Sequence, residues 1–172
     1  MSNIAYIGLG GLGCNLLSKL VELNPNAVPI AINSEAKYLV NKGVDLIRTT
    51  DNVEEDFLEM IIKFSKVFII FGFGGKTGFN MSLELLKYFA EKKFYNYTCL
   101  VALPLNINSI DFKMFAAKSY SEFVSKTKNL YLYDLNRIAL SSPKDVTLKD
   151  FEKYIAKDMN DDIVLILKEY LI

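Results

Sequence analysis

Twice in this chain an apolar run stops at a cluster of glycines and a helical pattern begins directly after it. Ile4–Leu9 leads into Gly8-Leu9-Gly10-Gly11-Leu12-Gly13, and Val67–Gly72 leads into Gly72-Phe73-Gly74-Gly75-Lys76-Thr77-Gly78. A short apolar run ended by glycine reads as a buried strand, and a helix that follows at once makes a βα unit. Two such units predict a mostly parallel sheet with helices on both faces, a Rossmann-like α/β fold. Such sheets bind ligands in the loops at the carboxyl ends of their strands. Both glycine clusters fall there.

The rest of the chain keeps the same alternation. Leu16, Leu17, Leu20 and Leu23 recur at helical spacing before Asn24-Pro25, and Val28–Asn33 is a second strand. Glu35–Val40 reads as a short helix and Asp45–Thr49 as a short edge strand. Phe57, Leu58, Ile61, Ile62 and Phe64 predict a helix, and Val67–Gly72, the most apolar run, a central strand. Asn80–Glu91 is helical, Tyr97–Leu105 a strand, and Leu130–Asp134 the last strand. Between the last two, Phe112, Phe115, Tyr120 and Phe123 form an aromatic stripe at helical spacing, read as core, with a partner surface as the other reading. From Thr147-Leu148-Lys149-Asp150, a capping-box pattern, the chain is helical to its end, with Asn160 or Asp161 as the cap of a second helical segment.

Composition narrows the function. Twenty basic and twenty acidic residues balance, which argues against a broad nucleic-acid or membrane surface. No apolar run approaches the ~18 residues of a membrane helix, and the first residues read as a strand rather than a signal peptide. The expected location is the cytoplasm, where Cys14 and Cys99 remain reduced, buried thiols. With no histidine and only these two cysteines, no metal-ligand set is expected and no catalytic residue is assigned.

Gly8, Gly10 and Gly13 fit G-x-G-x-x-G, in which glycine allows a tight turn and a close approach of backbone to phosphate. The helix N-terminus behind it supplies N–H groups and a partial positive charge. The second cluster is not a P-loop, since that spacing would need glycine at position 70, which is Ile70. It reads as a second phosphate cradle assisted by Lys76, or as a turn in which Lys76 is merely solvated. Gly10, Gly11, Gly13, Gly74, Gly75 and Gly78 are the expected N–H donors, and Thr77 a hydroxyl donor or a helix cap. An ordinary dinucleotide fold also wants an acid at the end of its second strand, where this chain has Asn33.

Taken together, these segments resemble the tubulin/FtsZ family of GTPases over roughly residues 3–140. Ile7-Gly8-Leu9-Gly10-Gly11-Leu12-Gly13-Cys14-Asn15 is similar to the family's first phosphate loop, and Ala31-Ile32-Asn33-Ser34-Glu35-Ala36 to its strand-two ending. Gly74-Gly75-Lys76-Thr77-Gly78 stands at its GGGTG signature, and Asn129–Ile138 at its strand followed by Pro-Asn-Asp. The resemblance implies GTP or GDP as ligand, magnesium as the accompanying cation, and a homo-oligomer or filament as the assembly. It implies that Asn15 reaches ribose or base, that Asn33 fixes its loop or touches phosphate, and that Asn136 and Phe151 meet the base. Glu35 is read as an acid at a helix N-terminus, or as holding a magnesium-bound water.

The chain also departs from the family. Lys76 replaces a glycine, Phe79-Asn80 replace small residues, Arg48–Glu54 contains no glycine, and Ile155 stands where a base-reading Asp is expected. Residues 1–172 read as a single nucleotide-binding domain with a long helical segment over about 147–172, without the family's second, activating domain. The expected function is therefore nucleotide-dependent assembly or partner binding, with at most weak GTPase activity. Two alternatives stay open: an NAD(P)- or ATP-using Rossmann enzyme, and a degenerate relative in which the Lys76 ammonium fills the phosphate site.

Overall fold

The structure, a computed structural model, describes residues 3–34, 46–49 and 55–170. Its elements are β1 (Ile4–Leu9), α1 (Gly10–Leu23), β2 (Val28–Asn33), β3 (Leu46–Thr49), α2 (Glu55–Ile61), β4 (Lys66–Gly72), α3 (Lys76–Glu91), β5 (Tyr97–Leu103), α4 (Ile110–Val124), β6 (Leu130–Asp134), α5 (Leu135–Ser141) and α6 (Leu148–Tyr170). The six strands form one sheet in the order β3-β2-β1-β4-β5-β6. All five pairings are parallel. The predicted α/β Rossmann-like architecture is the observed one, and β4, the most apolar strand, lies in the middle.

Alternation along the strands sends side chains into two cores. Ile7, Ile69, Val101 and their neighbours pack under α2, α3 and α4, while Tyr6, Phe68 and Leu100 pack under α1 and α6. The aromatic stripe of α4 is core only in part: Phe123 is fully buried, Phe112 and Phe115 are half-buried, and Tyr120 is exposed. Phe123 meets Phe71 and Phe73 edge-on at 5.4 and 5.6 Å, and Phe115 meets Phe79 at 6.0 Å. Cys99 is wholly buried, and burial pushes its thiol well above the usual cysteine range, so it stays protonated and inert.

Five features depart from the sequence pattern. α2 ends at Ile61, so Ile62 and Phe64 of the predicted helix lie beyond it. The third helix begins at Lys76 rather than Asn80, because the second glycine cluster is itself the turn into the helix. The strand from Tyr97 ends at Leu103, short of Pro104-Leu105. Asp134 caps a short helix, α5, that apolar spacing did not reveal; its carboxylate accepts the Asn136 N–H at 3.0 Å. The closing helix is one continuous element. Asn160 does not cap a second segment, and its side chain instead bonds Asn24 across to α1. The helix expected over Glu35–Val40, and Glu35 with it, lies outside the described residues. Among the described residues, no helix is long and apolar enough to cross a membrane.

Candidate nucleotide site

β1 and β4 are neighbours in the sheet, so the loops that follow them lie side by side at its carboxyl edge. The contact is close. A Cβ on Gly10 would stand 3.1 Å from the Gly78 nitrogen, and one on Gly78 would stand 3.0 Å from the Leu9 carbonyl oxygen. Gly10 has φ +70° and Gly74 φ +113°, conformations that suit glycine alone. At Gly74 a Cβ would also run into the Phe112 ring of α4.

The glycines divide into two kinds. Gly8, Gly13 and Gly78 are packing positions: their missing side chains let α1 lie on β4 and α3 lie against β1. Gly11 and Gly75 have no atom within 4 Å of a Cβ, so their outward faces border open space. Gly75 has φ −85° and ψ 133°, ordinary extended backbone.

Both helices that leave these loops start without side-chain caps. Leu9 and Gly75, the N-cap residues of α1 and α3, make no side-chain bond to the first turn, and neither first turn carries an acid. The other helices whose caps are described are different. Ser109 caps α4, Asp134 caps α5, and Thr147 caps α6 by accepting the Asp150 N–H at 3.2 Å. The predicted capping box at Thr147 is present. The Thr147 hydroxyl bonds the Asp150 carboxylate at 2.9 Å and, with Lys153, holds that carboxyl below its usual range. Two adjacent helix N-termini with amides left to other partners, bordered by open glycines, fit an anionic ligand the size of a phosphate chain.

The remaining candidates fall in three places: the second loop, α1, and a cavity whose described lining includes no residue of either glycine loop. Lys76 is the exposed first residue of α3. Thr77 is not the helix cap; its hydroxyl lies 3.5 Å from that of Ser34, joining the second loop to the end of β2, where Asn33 is buried. Asn15, one turn into α1, donates to Glu152 of α6 at 3.3 Å. Phe151 and Asn136 are brought together on one cavity of about 630 Å³, shared with Leu105, Asn106, Pro143 and Val146. Asn136 also fixes the loop after β5. Its side-chain oxygen accepts from the Asn106 N–H at 2.7 Å, and its amide donates to the Pro104 carbonyl at 3.3 Å. Glu152 and Ser34 were missed in the sequence. Their only signal was adjacency to Phe151 and Asn33, and the contacts that single them out span 137 and 43 residues.

No family model matches the chain. Solved structures do. FtsZ from M. jannaschii (the W319Y mutant) superposes with a TM-score of 0.75 at 20% identity, covering 94% of this chain and 55% of that one. TubZ of Clostridium botulinum phage c-st gives 0.72 at 18%, covering 92% and 59%. CetZ2 from Haloferax volcanii, described as a GTPγS-bound protofilament, gives 0.71 at 15%, covering 96% and 58%. The tubulin/FtsZ-like resemblance therefore holds at the level of fold, and the chain spans a little over half the length of the proteins it matches.

Proposed function

We propose that this chain binds a guanine nucleotide, GTP or GDP, at the carboxyl edge of β1 and β4, and acts in the cytoplasm as a nucleotide-dependent assembly or partner-binding module. The observation that carries the proposal is the pair of adjacent, uncapped helix N-termini opened by Gly11 and Gly75. Backbone N–H groups of both loops would hold the phosphates, with Thr77 and Lys76 beside them and magnesium as the counter-ion. The Phe151 ring and Asn136 would line the base cavity. Guanine rather than NAD is favoured by Asn33 at the end of β2 and by a fold shared with a GTPγS-bound protein. The same proteins motivate the assembly part of the reading, since the CetZ2 match is a protofilament.

Phosphoryl transfer to water needs a group that positions the nucleophile as well as a cradle. The two loops offer N–H, hydroxyl and ammonium donors, and no carboxylate lies within either. Donors that contact substrate and product phosphates as strongly as the transition state do not lower the barrier, so without a group to position water the 172-residue polypeptide should hydrolyse GTP slowly.

The test has two arms. Nucleotide released on denaturing the purified protein is identified by mass spectrometry, and GDP, GTP, ATP and NAD are titrated calorimetrically in magnesium buffer with phosphate release followed. Guanine nucleotide bound most tightly, with slow release, is the expected result. Tight NAD binding without GTP binding would establish the dinucleotide alternative, and no binding the degenerate one.

Lys76→Ala separates two roles for the lysine. As a phosphate ligand, its loss should weaken GTP about tenfold, the ~1.4 kcal/mol of a modest charged contact, and leave guanosine unchanged. Tighter GTP binding in the variant would instead make the ammonium an occupant of the site.

A further inference from the structure

The side of α4 that looks away from the sheet is apolar. Ala116, Ser119 and Phe123 point inward. At about 100° per residue, the opposite side carries Ile110, Met114, Ala117, Ser121 and Val124. Ile110 is 72% exposed, Met114 66% and Val124 38%, and Ala117 and Ser121 are exposed as well. The steps between these residues are four, three, four and three, the 3.5-residue repeat of a helix-pairing seam. A helix that meets only water would put its charge on this side. Instead, Asp111 and Lys118 follow one flank of the seam and Lys113 the other. Among the described residues, neither Asp111 nor Lys118 is held in an ion pair.

We propose that this seam is a homodimer contact, in which α4 packs antiparallel on α4 of a second copy about a two-fold axis. Size and charge both select that partner and that direction. The bulky residues, Ile110 and Met114, occupy the N-terminal half of the seam, and the small ones, Ala117 and Ser121, the C-terminal half. Antiparallel packing sets Met114 against Ala117 and Ile110 against Ser121 of the second copy, and symmetry makes each contact twice. In the same register Val124 reaches the turn that carries Ile107, and Asp111 faces Lys118, again twice. A parallel pair would oppose bulky to bulky and small to small, and would bring Lys113 towards Lys118 across the seam. One helix per copy makes an interface below the ~1,200 Å² of a standard complex, the size class of transient contacts, so the dimer is a concentration-dependent one. The contact lies on the solvent side of α4 and involves none of the glycine loops; it meets the rim of the cavity assigned to the base only at Ile107, and oligomeric state measured without added nucleotide separates the two readings.

Sedimentation velocity across the low- to high-micromolar range tests it, with circular dichroism to verify that each variant is folded. The wild-type chain should pass from monomer to dimer. Met114→Glu should raise the dissociation constant by more than tenfold. Asp111→Lys should raise it about tenfold, because two attractions become two repulsions, and adding Lys118→Asp to it should restore the wild-type value. A wild-type monomer throughout the range, a dimer indifferent to Met114→Glu, or a double exchange no better than Asp111→Lys alone would each overturn the proposal.

Discussion

Gly13→Ala is expected to destabilise the protein by about 3 kcal/mol or more and to lower its melting temperature by about 10 °C, although it adds only one methyl group. That methyl has nowhere to go. An ideal Cβ at position 13 would lie 2.2 Å from the Ile70 carbonyl oxygen and 3.3 Å from the Gly8 carbonyl carbon. Ile70 cannot yield, since β4 is bonded into the sheet on both sides, to β1 and to β5. α1 cannot lift away either, because Leu16, Leu17 and Leu20 are fully buried beneath it. Gly8 faces the same contact from the other side, where a Cβ would stand 2.5 Å from the Gly13 carbonyl oxygen. Thermal and urea unfolding with matched m-values give the measurement. A Gly13→Ala protein within about 1 kcal/mol of wild type would show that α1 does not lie on β4 as described.

Gly75→Val is expected to do the reverse: to spare the fold and abolish nucleotide binding. The added side chain is larger, yet no atom lies within 4 Å of the position its Cβ would take, and the backbone there is in an ordinary extended conformation. The positive φ values that demand glycine in these loops fall at Gly10 and Gly74, not here. Valine is a poorer helix cap than glycine, which costs up to about 1 kcal/mol of stability. The isopropyl group would occupy the space proposed for phosphate and screen the first amides of α3. Affinity for GDP and GTP should therefore fall at least about a hundredfold, some 2.7 kcal/mol. Calorimetric titration beside a circular-dichroism melt reads both quantities on one sample. A folded variant with unchanged affinity would take the second loop out of the site.

Much of the fold was legible in the sequence because its signals are local. Strand runs such as Val67–Gly72 and helical spacings such as Leu16-Leu17-Leu20 record burial along a single element, and the two glycine clusters mark the turns where strand becomes helix. α5 was missed because seven residues with two buried positions, Leu135 and Ile138, leave no periodicity to read. The start of α3 was missed because Lys76-Thr77-Gly78 carries no apolar repeat; packing of Phe79 and Met81 fixes that turn as helix.

The sequence by itself determined that this chain is a parallel α/β sheet with two glycine turns at the carboxyl ends of its strands, since strand and helix periods, and the place of glycine between them, are properties of the chain taken a few residues at a time. It could not tell Gly13 from Gly11 or Gly78 from Gly75. Each pair is the same residue in the same motif, and they differ only in whether another strand's backbone or open space stands opposite. Nor could it place Asn15 beside Glu152, or show that Met114 and Ile110 face outward while Phe123 faces in. Those distinctions depend on which surfaces meet when the sheet closes, and contacts between residues far apart in sequence exist only once the whole chain has packed.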